Sequence, residues 1–176
     1  DDSGSGTTIS QIRFECTPQN TYLDDGLLDF PIFSRGANNV TIDHCVMINS
    51  LQGISNWNGS GWKIIHNKIE GLYVLCGGGI GIFCGSSSTA AANNNFVAYN
   101  TIIAPDVNPD CGYYSTPGIG LFSLLQGPVK DNTIIHNTSS VTGTWDSSDP
   151  TGAGFEIDDL PLAAGSTAVV INNKIG

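Results

Sequence analysis

The chain has 176 residues, of which only 12% are charged, and its formal net charge is −10, from six Lys and Arg against sixteen Asp and Glu. Nucleic acid requires a cationic surface and anionic lipid attracts basic segments, so this balance argues against both kinds of partner. No run of about eighteen apolar residues is present, and we therefore expect no membrane span. The length fits one domain.

Residues 1–8 are polar and Gly-rich, and they predict a flexible lead-in to a single domain over residues 9–176. From there a six-residue frame recurs: an aliphatic residue, two variable residues, Asn, one variable residue and Ile. Full copies cover 64–69, 97–102, 129–134 and 170–175, and looser copies begin at Ile9 and Ile42 with Ile12 and Cys45 in the Asn position. Repeats at intervals of 22 to 41 residues are typical of solenoids, whose units stack because none can bury its own apolar face.

The apolar runs are too short for helices and rich in β-branched residues, which favours strands. A second strand signal, usually marked by Gly, follows each frame, for example at Gly53-Ile54 and at Gly118-Ile119. The extra length between frame and second strand varies greatly from coil to coil. We therefore expect an all-β solenoid with loop insertions mostly on one side.

In these repeats the chain resembles the right-handed parallel β-helix proteins of the pectin-lyase-like superfamily. The resemblance covers about residues 9–176 and implies a right-handed parallel β-helix of about five to six coils. It leaves the chemistry open, because that fold hosts lyases, hydrolases, epimerases, phage spikes and surface proteins without enzymatic activity.

Asn suits a bend between two strands, because it tolerates the left-handed region of backbone space. Stacked Asn side chains can also hydrogen-bond to one another, so the frame predicts an asparagine ladder of Asn67, Asn100, Asn132 and Asn173. The preceding residues form a second column, a polar ladder about 4.8 Å apart made of His44, His66, Tyr99 and Asp131. A general acid or base could come from it, although a hydrogen-bonded ladder without catalysis is the simpler interpretation.

Two His one coil apart could ligate a metal, but the sequence offers no evident third ligand, so we expect no metal site there. The loop carboxylates could instead bind Ca²⁺, although no Asp-x-Asp-x-Asp-Gly loop is present.

The expected loop side collects aromatic rings and carboxylates that could hold a sugar, the rings on its CH groups and the carboxylates on its hydroxyls. Alternatively, the rings pin the loops onto the column. The candidate carbohydrate-binding residues are Tyr22, Tyr73, Tyr113, Tyr114, Trp145 and Asp146.

Five Cys are an odd number for a chain that otherwise has the composition of an extracellular protein. Cys76 and Cys111 lie in corresponding insertions and predict a disulfide. Cys45, in the Asn position of the frame, is expected to be a small buried filler. Three sequons, at Asn39, Asn58 and Asn137, are candidate glycosylation sites.

The carboxylate pair Asp158-Asp159 resembles the paired acids of β-helix glycosidases, but their Gly-His-Gly and Arg-x-Lys signatures are missing. Neither end of the repeat carries an obvious cap, so either the chain is part of a longer protein or it self-associates through open β-helix ends. We therefore expect a non-catalytic extracellular or cell-surface structural module that assembles end to end into a fibre. The alternative is a carbohydrate-active enzyme, either a polysaccharide lyase or a glycoside hydrolase, or a polysaccharide-binding domain on the loop side.

Overall fold

The computed structural model describes residues 4–15, 30–72, 79–104, 118–123, 127–141, 155–159 and 170–176. These residues form short β-strands joined by tight corners, and every strand pair among them is parallel. In chain order the strands are β1 Thr8–Ser10, β2 Arg13–Glu15, β3 Ile32–Arg35, β4 Thr41–Asp43, β5 Val46–Ile48, β6 Gln52–Trp57, β7 Lys63–Ile65, β8 Lys68–Glu70, β9 Ile80–Ser86, β10 Phe96–Ala98, β11 Thr101–Ala104, β12 Ile119–Ser123, β13 Val129–Lys130, β14 Thr133–Ile135, β15 Thr138–Val141, β16 Phe155–Asp159, β17 Val170–Ile171 and β18 Lys174–Ile175.

The strands form three stacked parallel sheets, which the chain visits in turn. Within the described residues, sheet A has the order β1-β4-β7-β10-β14-β18, sheet B the order β15-β11-β8-β5-β2 and sheet C the order β16-β12-β9-β6-β3. β13 and β17 form a short additional pair. The predicted all-β parallel β-helix is thus confirmed. No helix long and apolar enough to cross a bilayer occurs in the described part of the chain.

The core is a pile of like side chains, because strands in successive coils pair in register. In sheet A, Ile42 lies over Ile64, then Val97 and then Ile134, and all four are buried. Sheet B stacks Met47, Ile69 and Ile102 in the same way, and sheet C stacks Ile54, Ile82 and Ile119. Each coil therefore hides its apolar face against the next, as expected of a solenoid.

The corners between sheets differ in how much their length varies from coil to coil. The corner from sheet A to sheet B has two residues in each coil that the structure describes, as at His44-Cys45 and Tyr99-Asn100. The passage from sheet B to sheet C takes three residues between β5 and β6, but fourteen, 105–118, between β11 and β12. The loop insertions accordingly lie mostly on one side.

The expected lead-in is engaged with the second coil over part of its length. Ser5 Oγ accepts a hydrogen bond from the Asn38 main-chain N–H at 2.9 Å, and Gly6 N–H donates to Asn38 O at 2.9 Å. Thr8 already belongs to β1 and pairs with Thr41. The ordered column thus begins within the range 1–8.

Candidate functional site

Four aromatic rings stack in one column on the outside of the A–B corner. Ring centroids are 4.7 Å apart for His44 and His66, 5.3 Å for His66 and Tyr99, and 5.3 Å for Tyr99 and His136. The ring planes deviate from parallel by 28°, 10° and 12°. The chain contains three histidines in all, and every one of them lies in this ring column.

Backbone geometry places these rings outside the core. Each of the four residues has a positive φ between 51° and 58°, which is uncommon for residues other than Gly and turns the chain sharply between two strands. The corner projects the side chain into solvent, so Tyr99 is 52% exposed. Because coils repeat at the strand spacing of about 4.8 Å, rings at the same corner come into stacking contact.

Stacking decides which ring surfaces remain available to a ligand. The faces of His66 and Tyr99 are both covered by neighbouring rings, so a ligand can approach these two residues only at the ring edges. A sugar packs its CH groups on ring faces, so the middle of this column is poorly suited to that mode. Hydrogen bonding and metal ligation use edges and are open to it.

Asp43 connects the first two rings. Its Oδ1 lies 2.6 Å from His44 Nδ1 and 3.2 Å from His66 Nδ1. Desolvation raises the pKa of the Asp43 carboxyl, but hydrogen bonds from His66 and His44 together outweigh it and hold that pKa below its usual value. An ionised carboxylate only accepts, so both Nδ1 atoms donate to the same oxygen.

An asparagine ladder lies directly behind the ring column, on the inside of the A–B corner. Asn67 Nδ2 donates to Asn100 Oδ1 at 3.0 Å, and Asn100 Nδ2 donates to Asn137 Oδ1 at 2.9 Å. Each Oδ1 also accepts a main-chain N–H, from Cys45, Asn67 and Asn100 in turn. Cys45 is fully buried at the first position of this ladder, as a small filler would be.

A second asparagine ladder occupies the corner before sheet A. Asn132 Oδ1 accepts from Asn95 N–H at 2.8 Å, and Asn132 Nδ2 donates to Asn173 Oδ1 at 2.9 Å. Asn95 Oδ1 in turn accepts from the Trp62 main-chain N–H. The residues before these Asn, namely Asn94, Asp131 and Asn172, again have positive φ.

The structure therefore divides the expected ladder in two and shifts its register. Asn67 and Asn100 share one ladder with Asn137, whereas Asn132 and Asn173 share the other with Asn95. Asp131 likewise lies at the other corner and not in the column of His44, His66 and Tyr99. The cause is that both corners that flank β10, and both that flank β14, consist of a residue with positive φ followed by Asn. The two corners are five residues apart in the sequence, so the six-residue frame aligned one kind of corner in some coils with the other kind in the rest.

His136 takes the position that Asp131 was expected to fill, and the sequence held the signal for it. The tetrapeptide Ile-Ile-His-Asn at 64–67 recurs unchanged at 134–137. Asp43 also lay outside the expected ladder, although it directly precedes His44. A carboxylate next to a left-handed His, with a second His one coil away, is the pattern that would have identified it.

The remaining expected site residues are placed as follows. Of the three candidate glycosylation sites, Asn39 is exposed. Asn58 Nδ2 donates a hydrogen bond to Ser87 Oγ at 3.2 Å. Asn137 Nδ2 donates to Val97 O and Ile135 O. A glycan on Asn137 would therefore remove one of the hydrogen bonds that its amide makes. The carbohydrate-binding candidates Tyr22, Tyr73, Tyr113, Tyr114, Trp145 and Asp146, and the disulfide candidates Cys76 and Cys111, lie outside the described residues.

The two ends of the column carry most of the exposed large apolar side chains that the structure describes. Ile12, Phe30 and Phe33 belong to the first coil and are 39–45% exposed; Ile171 and Ile175 belong to the last segment and are 38% and 47% exposed. A cleft of about 390 Å³ opens at the first coil, between Ile9, Ile32 and Phe33.

Comparison of the chain with family models, with curated proteins and with solved structures gives no match.

Proposed function

We propose that this protein is a non-catalytic, extracellular or cell-surface β-helix of the pectin-lyase-like superfamily that acts as a structural module and associates end to end. The observation that carries the proposal is the distribution of exposed apolar residues. Among the described residues, Tyr99 is the one exposed large hydrophobic residue away from the ends. Exposed apolar area concentrated in patches marks association surfaces.

The sheet geometry supports the same association. Among the described strands, β1, β2 and β3 are the outermost of sheets A, B and C at one end, and β18, β15 and β16 are the outermost at the other. Because all strands run parallel, a head-to-tail contact between two copies would prolong each sheet with pairs of the same type. Such a contact does not close on itself, so it builds a filament.

The chemistry of the described residues supports a role without catalysis. Among the described residues, Asp43 is the one carboxylate hydrogen-bonded to the imidazoles of the ring column, whereas a glycosidase requires a pair of carboxyl groups. The low charge and the sequons support an extracellular location.

Association should be measured by light scattering and negative-stain microscopy over a range of protein concentrations. We expect rods that lengthen with concentration. Phe33→Asp or Ile175→Asp should weaken association at least tenfold, because each buries a charge at the joint. Tyr99→Asp, at an equally exposed site in the middle of the column, is the matched control and should leave association unchanged.

A wild-type protein that stays monomeric at every concentration would overturn the end-to-end association. Release of reducing ends or unsaturated products from a panel of polysaccharides would overturn the non-catalytic role and favour the carbohydrate-active alternative.

A further inference from the structure

We propose that Asp43, His44 and His66 form a binding site for a late first-row divalent metal ion such as Ni²⁺, Cu²⁺ or Zn²⁺. One donor atom from each residue, a carboxylate oxygen or an imidazole nitrogen, lies within 4.8 Å of the other two. The site is independent of the end-to-end association, since it lies on the side of the column.

The distances between donor atoms are close to those around a shared ion. Ligands at roughly 2.0–2.2 Å from a metal are separated from one another by about 2.9–3.4 Å when they occupy neighbouring positions. Here the carboxylate oxygen is 3.2 Å from His66 Nδ1, which is within that range, and 2.6 Å from His44 Nδ1, so the His44 ring would move outward by about 0.3 Å to share an ion with it. A metal would replace the two protons that these nitrogens now share with the oxygen.

The fold holds these groups in place before any ion binds. His44 and His66 occupy the same two-residue corner in adjacent coils, and Asp43 ends β4, which pairs in register with β7. Their side chains are 58%, 44% and 32% exposed, so an ion can enter from solvent and water can complete its coordination. A preorganised site loses less side-chain freedom on binding.

The electrostatic surroundings favour a cation. The protein carries a net charge of −10, and two of the nearby cations are paired with carboxylates of their own, Lys68 with Glu70 at 2.6 Å and Arg13 with Glu15 at 2.8 Å. Two imidazoles and one carboxylate select Cu²⁺, Ni²⁺ or Zn²⁺, since Ca²⁺ prefers sites built from oxygen alone.

Calorimetric titration of the purified protein with NiCl₂ and with CaCl₂ tests the proposal. We expect saturable binding of one Ni²⁺ per chain, and CaCl₂ added first should not prevent it, because Ca²⁺ does not occupy this site. His44→Asn and His66→Asn remove one ligand each while keeping a residue that tolerates positive φ, and each should weaken Ni²⁺ binding at least tenfold. Asp43→Asn should do the same.

His136→Asn is the matched control, because His136 belongs to the same ring column but lies three coils away from Asp43. It should leave Ni²⁺ binding unchanged. Equal loss in His136→Asn and His66→Asn, or no binding by the wild type, would overturn the proposal.

A measurement on the wild type complements the variants. Substoichiometric Cu²⁺ should broaden the imidazole proton signals of His44 and His66 in NMR spectra before those of His136. Uniform broadening of all three would mean nonspecific surface binding and would also overturn the site.

Discussion

The inside and the outside of the A–B corner differ sharply, although they are formed by adjacent residues of the chain. Inside, Asn67 and Asn100 are at most 2% exposed, and the side chain of each accepts a hydrogen bond from a main-chain N–H of the neighbouring coil. Outside, the side chains of His66 and Tyr99 are partly exposed to solvent and stack on one another and on the rings of His44 and His136. The inner Asn supplies hydrogen bonds between coils, whereas the outer residue need only tolerate a positive φ, so the outer position can vary without breaking the ladder.

Thiol chemistry should separate the interior of the column from its surface most strongly. Burial raises the pKa of the Cys84 thiol to about 12, and an Asn56 hydrogen bond offsets only part of that effect. Since the thiolate is the reactive form, alkylation of Cys84 at pH 8 should be at least about a thousandfold slower than that of an exposed thiol.

Tyr99→Cys supplies that exposed thiol on the outer corner of the same fold, and peptide mapping by mass spectrometry follows both sites in one sample. Comparable alkylation rates at the two positions in the native state would contradict the burial of Cys84.

Breaking the inner ladder should have the largest effect on stability. Asn100→Ala removes the acceptor of the Asn67 N–H and Nδ2 groups and the donor to Ile64 O, and leaves all three buried. We expect a loss of about 3 kcal/mol in the free energy of unfolding, measured by urea denaturation. The adjacent change Tyr99→Asn should lower stability by less than about 1 kcal/mol; similar losses for both would show that the ladder is not the stabilising element.

The left-handed corner predicts an unusual order of stability at position 99. Tyr99 has φ 58°, where Ala is strained and Gly is not. The free energy of unfolding of Tyr99→Gly should therefore exceed that of Tyr99→Ala by about 1 kcal/mol. In urea denaturation, the Gly variant should accordingly have the higher midpoint. Gly less stable than Ala, as in an ordinary strand, would argue against the positive φ.

The smallest expected effect is the loss of stability at acidic pH when Asp43 becomes protonated. The pKa of Asp43 is lowered in the folded protein, so its contribution to stability is present above the usual value of 3.8 and is lost as the pH falls through the lower folded value. An NMR titration of the Asp43 carboxyl should show this midpoint below 3.8, and His44→Asn combined with His66→Asn should move it upward. A midpoint at or above 3.8 in the wild type would show that the two imidazoles do not hold the carboxylate.

The sequence was sufficient for the architecture because the evidence for it is local. Short β-branched runs such as Val97 to Ile102, repeated at solenoid intervals, admit few other structures. The register was harder to predict. Asp131-Asn132 and His136-Asn137 are both corner pairs in one coil, and only strand pairing decides which of them lies over Tyr99-Asn100.

Asp43 illustrates a second reason why a site escapes sequence reasoning. In a strand that alternates inward and outward residues, an outward Asp is an ordinary solvated residue. Its role depends on the distance to His66, 23 positions further along the chain, and that distance is fixed by the register of β4 and β7.

The constant two-residue corner has an evolutionary consequence. A gene that duplicates or deletes one whole turn of the solenoid keeps each asparagine paired with a partner of the same kind. Chain length can therefore change in steps without a new folding problem, and each added turn displays one more outward side chain at a fixed pitch. Selection can then alter those displayed groups individually, because the backbone position of each outer corner residue stays the same.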